Sequence, residues 1–558
     1  MELIDQHTKK IMEGCKKRAR DAGLRFQDET IEYIVTNRDL LELSPKMMIP
    51  TLYNYWVHDV EVLKEKGRYE LYPGNPYETV INTRPAISFY NDNNPDWLNV
   101  MIFYHVLAHI DFFQNNLFFK HTWDYDFAGQ ALADKRLIAN AKAEKGRWVD
   151  YIIEFARSID NLTGYYHELS KTDRMPATAQ SKRLDFYFDI FLQNKKKFKI
   201  SDYIKKIERY NDCIRQHKEQ GEKYFFAEIE TQYPEFEALF KKSLSKKSEK
   251  KLDLIQFILR HSTFLNADEN RWMKPVIQVV RKTSLFFQGQ IKTKIINEGW
   301  ASYWHETLFL QDDRIQGHEV DFARVNSAVT AMPRVGLNPY ALGMRLLYYI
   351  EELADKGKYD YRFQRLLDAY RRDKYDQKTG KGRDFIFTVR KNFCDFSKGR
   401  DFIFTVRKNF CDFMLINTFV DQDFVTRNKL FVAGKRLKKA KMVWEYYIKS
   451  RNAEEYRQML KDTLYHPPHI EIDTTKNDKG SLDLVHHFEG RPLVSEYIAN
   501  TMLGIEYLWG EKVNLETSEV VSAATPIGPP ATDEVKEEDI KWQRVLYTMK
   551  DRKLSKKV

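Results

Sequence analysis

Residues 104–116 of the chain read YHVLAHIDFFQNN, and residues 293–306 read TKIINEGWASYWHE. Residues four apart on an α-helix lie one turn apart, so His105 and His109 project from the same helix face. The second segment adds the carboxylate of Glu298 on another helix. Two histidines at this spacing and a glutamate from a second helix form the ligand set of a catalytic zinc site. The two segments therefore predict a buried polar site between two helices that are distant in the sequence.

The second segment also carries His305, whose role depends on geometry. Seven residues are close to two helical turns, so Glu298 and His305 share a face, with Ser302 between them. If His305 binds metal, four protein ligands close a tetrahedral site and leave no position for a substrate. If His305 lies outside the ligand set, the site stays open. The sequence allows both arrangements.

Composition indicates a folded protein of the cytoplasm. Hydrophobic residues make up 43% of the 558 residues, which is enough for a large core and unlike a disordered chain. The net charge of +10 is small for this length, so nucleic acid is not an expected partner. No stretch approaches the roughly 20 apolar residues that span a bilayer, so no membrane association is expected.

Cysteine usage fits a reducing compartment. The chain contains four cysteines and no CxxC pair. This pattern argues against a disulfide scaffold and against a zinc site made of thiolates. Any metal ligands should therefore be histidines and carboxylates.

The pattern along the chain predicts a mainly α protein of the α+β class. Helices are expected at about 96–119, 129–160, 252–281 and 289–311. β-branched and aromatic residues within 77–90 predict a strand just before the histidine helix. The expected unit around the site consists of this strand, the helix that carries His105 and His109 (the HxxxH helix), and the helix that carries the EGW sequence at 298–300 (the EGW helix).

The chain divides into three expected parts. Residues 1–460 form a helical core that contains the site. Residues 461–517 alternate strand signals around one helix, which predicts a small α+β module. Residues 518–558 begin with small residues, proline and charge, which predicts a flexible tail.

One segment within the core is duplicated. The sequence KGRDFIFTVRKNFCDF occupies 381–396 and again 398–413, with every residue identical. Solenoid repeats recur many times and drift in sequence, so one perfect copy indicates a recent duplication or an assembly error. We expect one copy to pack as an ordered element and the other to form an exposed loop or irregular extension.

The chain resembles the SpoVR family of bacteria (stage V sporulation protein R) over roughly residues 15–517. Besides the two segments quoted above, the motifs that carry the resemblance are VINTRPAISFY (80–90), FVDQDFVTRNKLFVAGKRL (419–437), MVWEYYIKSRNAEEYRQML (442–460), YHPPHIEI (465–472) and GRPLVSEYIANTMLGIEYLWG (490–510). The resemblance implies a protein of sporulation, acting in spore cortex formation, or of the stress response. It also implies a partner, because family members often occur beside a PrkA-type serine protein kinase.

The site is similar to that of gluzincin-type metallopeptidases, whose third ligand is a glutamate in a motif like E-G-x-A. The chain has EGWA at 298–301, and the small Gly299 and Ala301 let that helix approach closely. The strand at 82–90 matches the edge strand that can hold an extended substrate in such enzymes. The chain departs from the pattern at Val106, where HExxH enzymes place the glutamate that takes a proton from water. A valine cannot act as a general base.

Proton transfer in a hydrolase would then need another residue, and Asp111, His305 and Glu306 are the candidates. Asp111 lies about 120° from His105 around an ideal helix. The candidate catalytic residues are therefore Glu298, His305 and Asp111. The candidate ligands for zinc are His105, His109, Glu298 and His305.

A second set of histidines lies in and just before the C-terminal module. Its members are His466, His469, His486 and His487. Alternation places His486 and His487 on opposite faces of a strand, so at most one of them can join a site. A metal site in this region is not the favoured interpretation.

Two functions are compatible with these features. The first is a metal-dependent hydrolase that acts on amide bonds in peptides or cell-wall precursors. The alternative is a non-catalytic interaction protein that works with a PrkA-type serine protein kinase and in which the site is structural. The missing HExxH glutamate favours the alternative. The predicted buried group of histidines and a glutamate favours the enzyme.

Overall fold

The computed structural model describes residues 2–27, 29–43, 78–116, 127–163, 220–245, 252–358, 368–378, 411–438, 443–464, 467–474, 480–488, 492–520 and 542–557, with shorter pieces between them. This part of the chain is mainly helical with small sheets, which confirms the α+β class. The gluzincin-like details of the predicted fold are considered below.

Helices make up most of the described chain. In order, they are α1 (Gln6–Asp21), α2 (Asn37–Leu43), α3 (Asp96–Asn115), α4 (Phe127–Lys145), α5 (Trp148–Arg157), α6 (Lys182–Asp185), α7 (Gly221–Gln232), α8 (Phe236–Ser245), α9 (Leu254–His261), α10 (Thr263–Asn266), α11 (Met273–Lys292), α12 (Lys294–Phe309), α13 (Glu319–Val329), α14 (Pro339–Asp355), α15 (Ala369–Asp373), α16 (Asp412–Phe419), α17 (Gln422–Arg427), α18 (Ala453–Thr463) and α19 (Ser495–Trp509). The helix predicted over 129–160 is split between α4 and α5, because Gly146 adopts φ +58°. Within the described residues, every helix falls short of what crossing a membrane requires in length and apolarity.

The strands within the described residues form three sheets. They are β1 (Glu2–Leu3), β2 (Thr30–Val35), β3 (Glu78–Ile81), β4 (Ala86–Asn91), β5 (Val432–Lys438), β6 (Val443–Ser450), β7 (Ile470–Ile472), β8 (Leu482–His486), β9 (Val513–Val520), β10 (Trp542–Lys550) and β11 (Lys553–Lys557). The N-terminal sheet has the order β1-β2-β4-β3, the C-terminal sheet has the order β11-β10-β9-β8-β7, and β5 and β6 form a separate hairpin.

The strand expected just before the histidine helix forms two strands, β3 and β4. β4 pairs in parallel with β2 and antiparallel with β3. It therefore lies inside the sheet, and β3 forms the edge. The prediction of an edge strand at 82–90 that holds a substrate is wrong, because neighbouring strands occupy both sides of β4.

The first hydrophobic core is built around α3 and α12 and also includes residues of α1, α14, α16, α17 and α18. α12 packs against α14 so closely that a Cβ atom on Gly299 would lie 2.3 Å from the carbonyl carbon of Gly343. A Cβ atom on Gly343 would lie 2.1 Å from the carbonyl oxygen of Ile295. Only glycine fits at both positions. The close approach expected at Gly299 is present, and its partner is α14.

The second hydrophobic core joins the C-terminal sheet to helices from the middle of the chain. The predicted α+β module appears as β7, β8, α19 and β9. Its apolar residues, such as Leu484 and Met502, share one cluster with Ile152 and Val276. The boundary expected at residue 460 therefore does not separate two independent cores.

Part of the predicted flexible tail is regular structure. β10 pairs with β9 from Trp542 opposite Val520 to Met549 opposite Val513, and β11 pairs with β10. Val545 and Tyr547 are buried in the second core. The prediction of a flexible tail is wrong for 542–557, because alternate apolar residues of β10 cover the sheet although the overall composition is polar.

The duplicated segment lies almost entirely outside the described residues, since positions 379–410 are not described. The expectation that only one copy is ordered therefore stays a prediction. The end of the second copy is described, and Asp412 there accepts hydrogen bonds from the backbone N–H groups of Ile295 and Ile296 at 2.8 and 3.0 Å. Asp412 thereby satisfies two donors in the first turn of α12.

Candidate metal centre

α3 places His105 and His109 side by side in the interior. This helix is apolar on nearly every face and is buried all round, and the two histidine residues are only 5% and 7% exposed. The residues are one helical turn apart, and their Nε2 atoms lie 3.1 Å from each other. The shared face that the spacing predicts is therefore present.

α12 brings Glu298 to the same point. Its Oε2 atom lies 3.5 Å from Nε2 of His109 and is buried with no hydrogen-bond partner among the described residues. One ligand atom from each of His105, His109 and Glu298 lies within 4.8 Å of the other two. The structure thus brings together three of the four predicted ligands from helices that are distant in sequence.

A chain of hydrogen bonds fixes which nitrogen of His105 carries its proton. The Glu306 carboxylate accepts hydrogen bonds from the Tyr348 hydroxyl at 2.9 Å and from the Asn326 amide NH₂ at 2.6 Å. The Asn326 carbonyl oxygen therefore faces His305 and accepts the Nε2–H of that imidazole at 2.8 Å. Nδ1 of His305 is left to accept the Nδ1–H of His105, 2.9 Å away. His105 consequently presents an unprotonated Nε2 to the site.

Asn297 orients His109 in the same way. The Asn297 Oδ1 atom lies 3.0 Å from Nδ1 of His109. An amide oxygen only accepts, so Nδ1 of His109 carries a proton, and in the neutral imidazole Nε2 is the unprotonated nitrogen. Three unprotonated atoms, from His105, His109 and Glu298, then face one another. Such an arrangement in a buried site is repulsive unless a cation lies between the atoms.

The donor set fits a small divalent transition-metal ion. Metal–ligand distances of roughly 2.0–2.2 Å place the ligand atoms of a tetrahedral site about 3.4 Å apart. The two separations in this group, 3.1 Å between His105 and His109 and 3.5 Å between His109 and Glu298, lie on either side of that value. Imidazole with carboxylate suits zinc and also iron, copper and nickel. The residues can therefore hold a metal ion without specifying its identity.

Burial keeps two of the imidazoles neutral. It lowers the pKa of His105 well below the ordinary value, and the neighbouring His109 and His305 lower this pKa further. Burial also lowers the pKa of His305 to about 4, although the hydrogen bond to Asn326 acts in the opposite direction. Neutral imidazole is the form that binds metal ions.

Two predicted site residues lie outside the three-residue group. His305 is behind His105, against Nδ1, so it orients a ligand and is not part of the group. Asp111 is fully buried, and its carboxylate accepts hydrogen bonds from the Trp300 indole at 2.9 Å and the Arg25 backbone N–H at 2.7 Å. The Asp111 carboxylate thus joins α3 to α12 and to residue 25, and its assignment as a candidate catalytic residue stays a prediction.

Comparison with known proteins supports the expected relationship. The sequence model of the family described as SpoVR like protein matches residues 3–402. The chain belongs to the SpoVR family. Membership supports a sporulation-related protein. The motifs from residue 419 onward lie outside this match, which includes the whole three-residue group.

A curated relative of this SpoVR family member is the uncharacterized protein YcgB of Escherichia coli (strain K12). The two are 23% identical over 335 residues, which cover 57% of this chain and 59% of YcgB. The chain thus spans less than two thirds of the length of that relative. No solved structure gives a significant match.

A cleft of about 610 Å³ reaches the site in this SpoVR family member. His105 and His305 line it together with Lys294, Asn338 and Tyr340. The Tyr340 ring stacks on the His105 imidazole with the ring centroids 6.1 Å apart. Lys294 is exposed, so it places a positive charge beside the cleft. The cleft therefore reaches His105 and His305, whereas His109 and Glu298 are not among its lining residues.

Sequence reasoning missed the residues that orient the imidazoles. Asn297 directly precedes Glu298, and a buried amide next to a ligand is a signal that could have been used. Asn326 and Tyr348 lie on α13 and α14, where no spacing marks them. Their role depends on how three helices meet, which the local sequence does not encode.

The C-terminal histidines divide as the alternation predicts. His486 is buried and its Nδ1 lies 2.9 Å from Thr517 Oγ1. His487 projects from the other face towards His469 and Glu471. His466 lies outside the described residues. These three side chains, His469, Glu471 and His487, form a second group that is separate from the first.

Proposed function

We propose that this SpoVR family member is a metal-dependent hydrolase of the sporulation or stress programme, with His105, His109 and Glu298 as ligands to zinc. The observation that carries the proposal is the convergence of three unprotonated ligand atoms, two from imidazoles and one from a carboxylate. The protonated Nδ1 atoms of both imidazoles point away from this group. Three protein ligands are the number typical of catalytic zinc sites, whereas structural sites are closed by four.

The residues around the group have separable roles in this proposal. When bound, a zinc ion supplies Lewis-acid chemistry for hydrolysis. Asn297 holds the His109 imidazole, and the chain from Glu306 through Asn326 and His305 holds the His105 imidazole.

The cleft would admit the substrate beside His105. Its lining combines apolar side chains with Lys294, Asn338 and Tyr340. This mixture suits an amide-containing substrate with an anionic group, such as a peptide or a cell-wall precursor. The positive charge of Lys294 would then face the anionic part of the substrate.

The rival proposal is a non-catalytic protein that works with a PrkA-type serine protein kinase and uses the metal for structure. Val106 is fully buried and apolar at the position of the HExxH glutamate. Both nitrogens of His305 and both oxygens of Glu306 are already engaged in hydrogen bonds. His305 therefore offers no free acceptor for a proton, and the Glu306 carboxylate is directed at Asn326 and Tyr348, which is the observation that favours the rival.

The release of free amine from peptides and cell-wall precursor peptides separates the two proposals. The hydrolase proposal expects cleavage by zinc-loaded protein, loss of cleavage after chelation and recovery when zinc is restored. Glu298→Gln should be inactive under all three conditions. If zinc-loaded protein cleaves no amide while it binds a purified PrkA-type kinase in calorimetry, the rival is correct.

A further inference from the structure

A second group of potential ligands lies on the C-terminal sheet, outside the site described above. β7 is an edge strand of this sheet and pairs antiparallel with β8. His469 directly precedes β7, and Glu471 lies two residues further on, so both side chains point to the same face. The backbone N–H of His487 donates to the carbonyl oxygen of His469 at 2.9 Å, which places these two residues opposite each other. All three side chains therefore project from one face of a two-stranded ribbon.

Glu471 lies between the two imidazoles. Its Oε1 atom is 3.4 Å from Nε2 of His469, and its Oε2 atom is 3.1 Å from Nε2 of His487. The two imidazole rings have centroids 4.5 Å apart. One ligand atom from each of the three residues lies within 4.8 Å of the others. The two carboxylate–imidazole separations are close to the value of about 3.4 Å between ligand atoms of a tetrahedral metal site.

We propose that His469, Glu471 and His487 bind a second divalent transition-metal ion, such as zinc. Two imidazoles and one carboxylate supply the required ligand chemistry. The three side chains are 21%, 36% and 44% exposed, so an ion reaches this site directly from solvent. The remaining coordination positions face outward and are open to water or to a ligand group from another molecule.

The sheet holds the three ligands in a fixed register. His486 points into the protein and contacts Thr517, so a shift of β8 by one residue would expose a buried imidazole and bury His487. β8 also pairs in parallel with β9, from Leu482 opposite Val513. The ion would therefore join the short edge strand β7 to an inner strand that is already anchored. Because the unfolded chain lacks this arrangement, metal binding should stabilise the folded state.

Zinc titration of the full-length chain by isothermal calorimetry tests this proposal. His109→Ala removes a ligand of the first group, so zinc that still binds reports the second. We expect His109→Ala to bind one equivalent of zinc, and His109→Ala with His487→Ala to bind it about tenfold or more weakly. The matched control adds His217→Ala, an exposed histidine stacked on Tyr224 and outside both groups, and should bind as His109→Ala does.

Two calorimetric results overturn the proposal. One is an absence of zinc binding by folded His109→Ala, and the other is equal affinity in the His487→Ala and His217→Ala backgrounds. If His109→Ala does not fold, the comparison is made in the wild-type chain, where His487→Ala must remove one zinc equivalent and His217→Ala none. A Tm that rises with zinc by the same amount in His487→Ala and His217→Ala would also contradict the proposal.

Discussion

The Nδ1 atom of His105 lies 2.9 Å from the Nδ1 atom of His305, and this contact determines which ring nitrogen of His105 is available to a metal ion. Because the Asn326 carbonyl oxygen accepts a hydrogen bond from Nε2–H of His305, the neutral His305 imidazole can only accept at Nδ1. His105 must then donate from Nδ1 and keep its Nε2 lone pair for the site. A histidine that looks like a fourth ligand in the sequence is thus a positioning residue in the structure.

His305→Ala should weaken metal binding without abolishing it. The substitution removes the acceptor for the hydrogen bond from Nδ1–H of His105, so His105 is no longer held in one tautomer and orientation. The loss of such a partner typically lowers the affinity for the metal ion by about 10- to 100-fold. Competition with a chelator of known affinity measures the change. His105→Ala serves as the comparison, because it removes a ligand itself. An equal loss of metal affinity in His305→Ala and His105→Ala would show that His305 binds the metal directly.

Gly299→Ala should destabilise the fold and the site together. The added Cβ atom would lie 2.3 Å from the Gly343 carbonyl carbon, so α12 and α14 must separate. Overpacking of this kind costs about 1–3 kcal/mol or more in the free energy of unfolding. The measurement is the denaturant midpoint together with metal content.

Gly67→Ala is the matched control for that substitution, because no atom lies within 4 Å of the added Cβ. It should leave the denaturant midpoint and the metal content close to those of the wild type. Normal stability of Gly299→Ala would show that α12 and α14 are further apart than the structure places them.

Asp312 should make the fold sensitive to acid. Burial raises the pKa of this carboxyl group, but hydrogen bonds from Arg314 and Tyr104 outweigh burial and lower the pKa to about 2. Tyr104 donates to Asp312 at 2.6 Å. A pKa that is lower in the folded state than in the unfolded state gives stability that is present above about pH 4 and is lost as pH falls towards 2.

Asp312→Asn should therefore lower the free energy of unfolding by about 2 kcal/mol at pH 7. The difference from wild type should shrink as the pH falls from about 4 to about 2. Urea denaturation at several pH values measures both quantities. A difference that does not depend on pH would mean that the Asp312 carboxylate contributes no charge-dependent stability.

The sequence predicts features that depend on local spacing. His105 and His109 share a face because they are four residues apart, and the EGWA segment at 298–301 marked Glu298 as the third ligand. The strands β7, β8 and β9 around α19 were also predicted, since turn residues separate short apolar runs.

Features that depend on distant neighbours could not be predicted in this way. Asp111 lies within the histidine helix, but its direction is set by Trp300 and Arg25, which come from other elements. β4 is an inner strand because β2, about 55 residues earlier, pairs with it. The tail strand β10 is polar on one face and apolar on the other, so overall composition concealed its period of two.

The metal content of protein purified without added metal tests the central claim most directly. We expect the control Glu144→Gln, an exposed glutamate on α4, to hold as much transition metal as the wild type. Glu298→Gln should hold about one ion per chain less, because the first group is lost while the second group proposed above is unchanged. If the site is catalytic, Glu298→Gln should keep a Tm near that of the wild type, and if the metal is structural the Tm should fall markedly. Equal metal content in wild type, Glu298→Gln and His109→Ala would contradict the account, because the first group would then be a buried polar cluster that holds no ion.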